Sequence, residues 1–262
     1  HYQPTYAVIN NIEMDHVDYF QSIEQYVQSF EQFANQVKDT VVVWGDDPHL
    51  PHLNYTKRVL KFGISDKNDV IAKNIINNNH GLYFDVYIHG DLFGHFALPF
   101  YGMHMLYDSL AVITLGYLEN MDADYIQKRL STFDGVKRRY TVQEVGNNVY
   151  VDDYAHHPTE LRATLNTAKE MGYKRLIAVH QPFTYSRTKM LFNDFVDVLK
   201  IPDITVLTPI MGSREPNDPT ITSAKLAAQI PNAVLVDSLE AAAQWVKDNA
   251  REGDLVITLG CG

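Results

Sequence analysis

The chain has 262 residues, of which 45% are hydrophobic and 21% charged, a composition typical of a globular protein with one large domain or two ordinary ones. Its net charge of −10 argues against a surface that binds nucleic acid, and no apolar run approaches the about 20 residues of a membrane-spanning helix. Cys261 is the single cysteine, which excludes a disulfide framework and a thiolate metal site and favours a reducing, cytoplasmic setting.

The first half of the chain predicts short strands and three helices. Strands are expected at residues 6–9, 41–44, 59–62, 70–75, 83–88 and 95–100, where β-branched and aromatic residues are enriched. Helices are expected at residues 23–37, 104–118 and 123–130, the first because its apolar residues recur every three or four positions. The close spacing of the later strands predicts a small antiparallel sheet added to a parallel one.

Residues 135–140 predict a hinge into a second domain, so the two domains are expected at residues 1–136 and 137–262. Strands are predicted at residues 148–151, 176–179, 205–207, 233–236 and 255–259, and helices at residues 158–168, 188–199, 223–229 and 239–249. This alternation predicts a doubly wound parallel α/β sheet with its site at the carboxyl ends of the strands. Because the chain opens one step before a strand and stops just after another, we expect it to be a fragment.

The segment that follows the strand at residues 148–151 is dense in polar side chains. They are Asp152, Asp153, Tyr154, His156 and His157. Pro158 comes next and is typical of a first helical position. A strand end beside a helix N-terminus favours a bound anion, so the segment predicts a ligand site. The alternative is an ordinary loop in which the aspartates cap the helix and the histidines are surface residues.

Residues 11–16 follow the first predicted strand and combine amide, carboxylate and imidazole groups. Asp15 and His16 can hold a divalent cation that bridges phosphate oxygens. The alternative interpretation is a helix-entry loop in which Asp15 serves as the cap.

Two further segments offer arginines that can bind anions. Lys137, Arg138 and Arg139 form a basic cluster at the domain junction, which can reach phosphate groups or be a solvated charge run. Arg187 lies between a predicted strand and a predicted helix and can bind a carboxylate through two hydrogen bonds. Alternatively, Ser186 caps that helix and Arg187 lies on the surface.

Four segments, in this order, resemble the Mur ligases. They are Asn11-Ile12-Glu13-Met14-Asp15-His16, Gly135-Val136-Lys137-Arg138-Arg139, Asp152-Asp153-Tyr154-Ala155-His156-His157-Pro158-Thr159-Glu160 and residues 181–188. The resemblance covers essentially the whole chain, and the third segment with the later Ser186-Arg187-Thr188 is its most specific part. It is strongest to the branch of the family that joins L-alanine to UDP-N-acetylmuramate.

The resemblance implies a three-domain enzyme with a UDP-binding domain, a central ATPase domain and a Rossmann-like C-terminal domain. Residues 1–136 would then be the later part of the ATPase domain, and residues 137–262 most of the C-terminal domain. The sequence G-x-x-G-K-[ST], which cradles ATP phosphates, does not occur in these residues. We therefore expect the 262-residue chain to be inactive by itself.

The reaction implied by the resemblance is ATP-dependent amide formation through an acyl phosphate, in cytoplasmic peptidoglycan precursor synthesis. ATP and Mg²⁺ are the implied cofactors, and UDP-N-acetylmuramate and L-alanine the implied substrates. By position, His16 would bind magnesium, Arg138 or Arg139 would meet the nucleotide phosphates, and Asp152 or Asp153 would position the nucleotide. His104 and Asp108 would lie near the nucleotide. The amino-acid end would be lined by Tyr154, His156, His157 and Arg187.

Three positions depart from the family pattern. Met105 and Asp108 replace the two asparagines of G-x-H-N-x-x-N, and Phe183 replaces the histidine of Q-P-H. Because methionine cannot donate a hydrogen bond to adenine or ribose, we expect nucleotide handling to differ at Met105. Because of these departures, one alternative is that the chain belongs to a non-catalytic binding relative of the family. A murein-peptide ligase is the other alternative, although that group carries N-T-M-x where this chain has Tyr185-Ser186-Arg187-Thr188. The sequence does not predict an oligomeric state.

Overall fold

The computed structural model describes residues 2–17, 19–78, 81–100 and 102–261. The chain divides into two compact units, His1–Phe133 and Asp134–Gly262, each built around its own sheet. Within the described ranges, no helix is both long and apolar enough to cross a membrane.

The first unit contains one six-stranded mixed sheet. Its elements are β1 (Tyr6–Ile9), α1 (Ile23–Asn35), β2 (Thr40–Trp44), β3 (Arg58–Gly63), β4 (Val70–Asn78), β5 (Gly81–Ile88), β6 (Asp91–Leu98), α2 (Met103–Leu118) and α3 (Ala123–Leu130). The strands lie in sequence order, with β1 to β4 parallel and β4 to β6 antiparallel. The antiparallel strands therefore extend the parallel sheet and do not form a separate one, because β4 pairs with both β3 and β5.

Strand β2 is buried on both faces of this sheet. Val41 and Val43 pack in a core cluster that includes residues of α1, whereas Val42 packs in a second cluster with Leu106 and Leu110 of α2. Successive side chains of a strand point to opposite faces, so a run of valines serves both cores. The helices thus cover the two faces of the sheet and leave its strand ends open to loops.

The second unit is a doubly wound sheet, as predicted. Its elements are β7 (Thr141–Val145), β8 (Asn148–Asp153), α4 (Pro158–Glu170), β9 (Arg175–His180), α5 (Tyr185–Met190), α6 (Phe192–Val198), β10 (Ile204–Leu207), α7 (Ser223–Ala227), β11 (Ala233–Leu235), α8 (Leu239–Asn249) and β12 (Asp254–Leu259). The strand order is β11-β10-β9-β12-β8-β7, parallel except for the antiparallel pair β7 and β8. Strand β12 lies between β8 and β9, so the carboxyl ends of these three strands adjoin at the point where the winding reverses.

Two elements of the second unit differ from the sequence prediction. Strand β7 was not predicted, because four of its five residues are exposed and carry no alternating apolar pattern. The helix predicted at residues 188–199 is two helices, α5 and α6, separated at Leu191, whose backbone (φ −100°, ψ 26°) leaves helical geometry. Leu191 and Phe192 pack against the core of the unit, and this packing fixes the position of the break between α5 and α6.

Candidate functional site

The loops after β8, β9 and β12 are hydrogen-bonded side by side. Gly260 N donates to Asp153 O at 3.3 Å, and Gln181 N donates to Leu259 O at 3.1 Å. Side chains from three distant parts of the sequence therefore share one edge of the second unit. This is the edge that the doubly wound pattern predicts for a ligand.

Asp152 and Arg138 form an ion pair at this edge. Arg138 Nε lies 3.2 Å from Asp152 Oδ2, and an Arg138 Nη2 hydrogen donates to Gly260 O at 2.8 Å. Thr258 Oγ1 donates to the other Asp152 oxygen at 3.0 Å. The guanidinium of Arg138 is thus fixed within the unit. The next residue, Arg139, is exposed, and both guanidinium groups lie over the Tyr154 ring, at 5.2 and 5.7 Å from its centroid.

Asp153 has a different environment from its neighbour Asp152. Its side chain is buried, and its two oxygens accept hydrogen bonds from Ala155 N at 2.8 Å and from Thr164 Oγ1 at 3.0 Å. Asp153 therefore joins the loop after β8 to helix α4. Asp152, with 43% of its side chain exposed, is the more accessible of the two carboxylates.

Helix α4 begins in a capping box that involves His157 and Glu160. His157 Nδ1 accepts from Thr159 N at 3.3 Å, and Glu160 Oε2 accepts from His157 N at 3.2 Å and from His156 N at 3.0 Å. Pro158 is the first helical residue, as predicted. The alternative in which the aspartates cap this helix is wrong, because His157 occupies the N-cap position.

Tyr154, His156, Phe183 and Arg187 form an aromatic and cationic cluster. The Tyr154 and His156 rings meet edge to face at 5.4 Å, and the His156 and Phe183 rings at 5.9 Å. Arg187 lies over the Phe183 ring at 5.6 Å and donates from Nη1 to Phe183 O at 2.8 Å. With 6% of its surface exposed, Arg187 is buried and not a surface residue. His156 Nδ1 donates to Tyr154 O at 2.9 Å, which leaves Nε2 as an acceptor in the neutral ring.

Cys261 lies beside this cluster, although sequence reasoning did not select it. Its thiol is hydrogen-bonded to the Tyr154 phenol, and this contact raises the pKa of Tyr154. Burial raises the pKa of the Cys261 thiol, against the opposing effects of Tyr154 and Arg187. The available signal was its position two residues after the end of β12, since site residues gather at strand ends.

His180, the last residue of β9, lies fully buried beneath these loops. Its Nδ1 lies 3.3 Å from Leu259 O, and its ring stacks on Phe195 at 5.8 Å. Burial lowers the pKa of His180 to about 4, so the ring is neutral at pH 7. Among the described residues, its Nε2 atom has no hydrogen-bond partner.

In the first unit, the turn after β2 fixes the loop after β1. The buried carboxylate of Asp47 accepts from Ile12 N at 3.0 Å, from His49 N at 2.7 Å and from Leu50 N at 2.8 Å. Asn10 Nδ2 of the same loop donates to Asp108 Oδ1 of α2 at 3.1 Å. Asp108, one of the departures from the family pattern, therefore joins α2 to this loop. His104 lies half-buried in the first turn of α2.

His16 has 66% of its side chain exposed, and its Nε2 lies 4.0 Å from Asp15 Oδ2. Asp15 Oδ1 accepts from His16 N at 2.8 Å, whereas the side chain that caps α1 is Ser22. In the part of the chain that the structure describes, no three His, Cys, Asp or Glu side chains are grouped to hold a metal. The role of His16 in binding magnesium stays a prediction.

The fold and the site define a two-unit α/β chain whose second unit presents arginines and aromatic side chains at the carboxyl ends of its strands. The family model described as "Mur ligase middle domain" matches residues 1–116, and the model described as "Mur ligase, glutamate ligase domain" matches residues 137–262. The chain belongs to the Mur ligase family.

Solved structures share this fold. UDP-N-acetylmuramate–alanine ligase MurC from Thermotoga maritima is 24% identical, with a TM-score of 0.80 over 100% of this chain and 57% of that one. The MurF ligase of Thermotoga maritima in complex with ADP is 18% identical, with a TM-score of 0.80 over 98% of this chain and 58% of that one. A murein peptide ligase from Psychrobacter arcticus is 19% identical, with a TM-score of 0.69 over 99% and 55%. The chain spans between 55% and 58% of the length of these three proteins.

Proposed function

We propose that the chain is part of an ATP-dependent amide ligase that joins L-alanine to UDP-N-acetylmuramate through an acyl phosphate. The observation that carries the proposal is the cluster at the ends of β8, β9 and β12, which offers arginines for two different anions. Arg138 and Arg139 lie over the Tyr154 ring, while Arg187 contacts Phe183 next to His156. Membership in the Mur ligase family and the fold shared with MurC support it.

Arg139 is the better candidate for the nucleotide phosphates. Arg138 is already bound to Asp152 and to Gly260 O, so redirecting it would break two charge-assisted hydrogen bonds. Arg139 is exposed and can turn towards a phosphate at lower cost. Asp152 then acts by holding Arg138 over the Tyr154 ring, and the exposed part of its carboxylate can also accept a hydrogen bond from the nucleotide.

Arg187 is the candidate for the carboxylate of the amino acid. Its burial lowers the local dielectric, which strengthens a bidentate hydrogen-bonded pair with a carboxylate. Tyr154 and His156 line the same place, and His156 Nε2 can accept a hydrogen bond from the amino group. His157 contributes indirectly, since its ring and Glu160 fix the start of α4 next to His156.

The proposed chemistry has two steps. A carboxylate oxygen of the sugar nucleotide attacks the γ-phosphorus of ATP, which releases ADP and leaves an acyl phosphate. The amine of alanine then attacks the acyl carbon, phosphate leaves, and the nitrogen loses a proton. Positioned cations favour both steps because they offset repulsion between the anionic reactants. Mg²⁺ would neutralise phosphate charge, and His16 beside Asp15 would be the residues of this chain to hold it.

The experiment uses the full-length protein that contains these residues. ADP release is measured with UDP-N-acetylmuramate, ATP and Mg²⁺, and L-alanine, glycine, L-serine and the murein tripeptide are compared as acceptors. We expect release that depends on L-alanine and falls at least about tenfold in Arg139→Ala, since one arginine at a transferring phosphate commonly contributes that much or more. Lys137→Ala, in the same basic cluster, is the matched control. Larger tripeptide-dependent release would instead assign a murein-peptide ligase, a class the chain resembles in fold.

A non-catalytic binding relative is the second candidate, and two contacts favour it. Asp108 is bonded to Asn10, and Met105 packs against the core of the first unit. Both positions therefore serve structure where the family pattern has asparagine. Calorimetry that detects nucleotide binding to the full-length protein without turnover for any acceptor would favour this candidate. Multiple turnovers would exclude it.

A further inference from the structure

Glu215 lies in the loop after β10, 29 residues along the chain from Ser186, and its carboxylate contacts the first turn of α5. Oε2 accepts from Ser186 N at 2.8 Å, and Oε1 accepts from Thr184 Oγ1 at 2.7 Å. The Ser186 hydroxyl donates a further, short hydrogen bond to Oε1. One carboxylate therefore holds the two residues that frame the start of the helix.

Glu215 fulfils the role that an N-cap side chain usually has. Thr184 occupies the N-cap position of α5, but its hydroxyl bonds to Glu215, so a carboxylate from another loop accepts from the free N–H of Ser186 in the first turn. Burial raises the pKa of Glu215, but hydrogen bonds from Ser186, Thr184 and Tyr185 outweigh it and lower the pKa. The carboxylate is thus ionised at neutral pH, the state in which it accepts all these bonds.

Three further contacts tie the loop of Glu215 to helix α5, which carries Arg187, and to the loop that precedes it. Met211 N donates to Pro182 O at 2.9 Å. Gly212 packs so closely on Tyr185 that an added Cβ would lie 2.4 Å from Tyr185 Cε2. Lys189 Nζ binds Asp218 Oδ2 at 3.1 Å. The loop after β10 therefore fixes α5 along one side, and Glu215 fixes its beginning.

Arg187 directly follows Ser186 in this first turn, so its direction depends on how the turn is held. Its Nη1 group donates back to Phe183 O, across the residues that Glu215 binds. We propose that Glu215 is a positioning residue that holds Arg187 in place to bind the carboxylate of the amino-acid substrate. This inference rests on the proposed function of the same site.

The test measures kinetics of the full-length protein with Glu215→Ala and Glu215→Gln. For Glu215→Ala we expect the KM for the amino acid to rise about tenfold or more, with the KM for ATP and for UDP-N-acetylmuramate unchanged, since lost charge-assisted bonds let Arg187 move. Glu215→Gln keeps an oxygen for Ser186 N and should restore this KM to within about threefold. Asn217→Ala, at an exposed residue of the same loop, is the matched control and should leave the KM unchanged.

A double-mutant cycle separates positioning from general damage. If Glu215 acts through Arg187, adding Glu215→Ala to Arg187→Ala should change the KM for the amino acid little further. If the two substitutions raised the KM for the amino acid by factors that multiply in the double variant, the proposal would be overturned. An unchanged KM in Glu215→Ala would also overturn it. If Glu215→Ala does not fold, Ser186→Ala removes the hydroxyl contacts with Glu215 and Thr184, keeps the bond from Ser186 N, and should raise the same KM.

A readout without turnover distinguishes failure of this inference from failure of the proposed function. The Nε–H NMR signal of Arg187 should shift or broaden in Glu215→Ala and stay in place in Asn217→Ala. A signal unchanged in Glu215→Ala would overturn positioning even in an active enzyme. Absence of amino-acid-dependent turnover in the wild type would instead contradict the proposed function, while the NMR comparison would still decide whether Glu215 orients Arg187.

Discussion

His180 shows how one buried residue can make the second unit sensitive to pH. It continues an apolar strand in which Ile177 and Ala178 are completely buried. An imidazole there must stay neutral, because charging it without water or a counter-ion costs several kcal/mol. Periodicity predicts burial at the end of this strand but not the pKa, which depends on Phe195 and Leu259, residues distant in sequence.

We predict that His180→Phe reduces the pH dependence of stability. The folded pKa of about 4 lies below the ordinary value of 6.5, so between these values the unfolded chain binds a proton that the folded chain does not. Stability from the neutral ring is present at pH 7 and is lost as pH falls. Lowering the pH from 7 to 5 should therefore reduce the free energy of unfolding of the wild type by about 2 kcal/mol more than that of the variant.

The measurement for His180 is urea unfolding of the chain at pH 7, 6 and 5. His52→Gln replaces an exposed histidine and should keep the wild-type dependence. If the free energy of unfolding fell equally with pH in the wild type and in His180→Phe, the buried ring would not take up a proton on unfolding in this range.

Adjacent arginines show what the sequence alone does not resolve. Arg138 and Arg139 offer the same group at neighbouring positions, and either suited a phosphate by residue type. Arg138 adopts a left-handed backbone with φ of 59° and donates its own N–H to Thr141 Oγ1 at 2.9 Å. The turn brings its side chain to Asp152 and leaves Arg139 exposed. The partner of Arg138 lies in β8, so the assignment requires tertiary structure.

At the scale of elements, the local sequence predicts where a helix or strand begins better than it predicts which residues that element contacts. Pro158 marked the first residue of α4, because its missing N–H costs nothing at that position. The strands of the doubly wound sheet were recognised by their buried apolar runs, whereas β7 was missed as an exposed edge strand. The contact of Glu215 with Ser186 could not be predicted, since no local pattern encodes a cap supplied by another loop.

Strands β9 and β12 are joined by a buried ion pair that yields a second prediction. Arg175 and Asp254 are register partners, with Nε to Oδ1 at 3.1 Å and Nη2 to Oδ2 at 2.6 Å. Asp254 has 3% of its side chain exposed, so Arg175→Met leaves a carboxylate without its cation inside the unit. We expect a loss of about 3 kcal/mol in the free energy of unfolding at pH 7.

A matched substitution and a pH series test this ion pair. Lys200→Met, at an exposed pair with Asp197 at 3.4 Å, should cost less than about 0.5 kcal/mol. Burial raises the pKa of Asp254, but hydrogen bonds from Arg175 and Arg251 outweigh it and lower the pKa. The pair therefore stabilises above the ordinary aspartate value of 3.8, and the penalty of Arg175→Met should shrink as pH falls below it. Equal losses of unfolding free energy in Lys200→Met and Arg175→Met would contradict this account.

At the scale of the whole molecule, the chain divides after Phe133, next to the Gly135 segment that predicts a hinge. Each unit has two apolar clusters, one on each face of its own sheet. The sequence shows this as two patterns, short strands at close spacing and then a regular strand and helix alternation. A pattern of this kind predicts which residues are buried in each unit, because burial follows from periodicity along each element.

Core truncation tests that division at matched positions. Leu165 of α4 and Leu110 of α2 are both fully buried, so Leu165→Ala and Leu110→Ala should each lower the stability of the unit that contains them by about 2–5 kcal/mol. Hydrogen exchange should show faster exchange of amides in β8, β9 and β12 for the first variant, and in β2, β3 and β5 for the second. Leu239→Ala, at an exposed leucine, is the control and should change neither set. Unchanged protection in β8, β9 and β12 in Leu165→Ala would mean that α4 does not stabilise the strands whose ends form the candidate site. The arrangement of Tyr154, His156 and Arg187 would then depend on their loops alone.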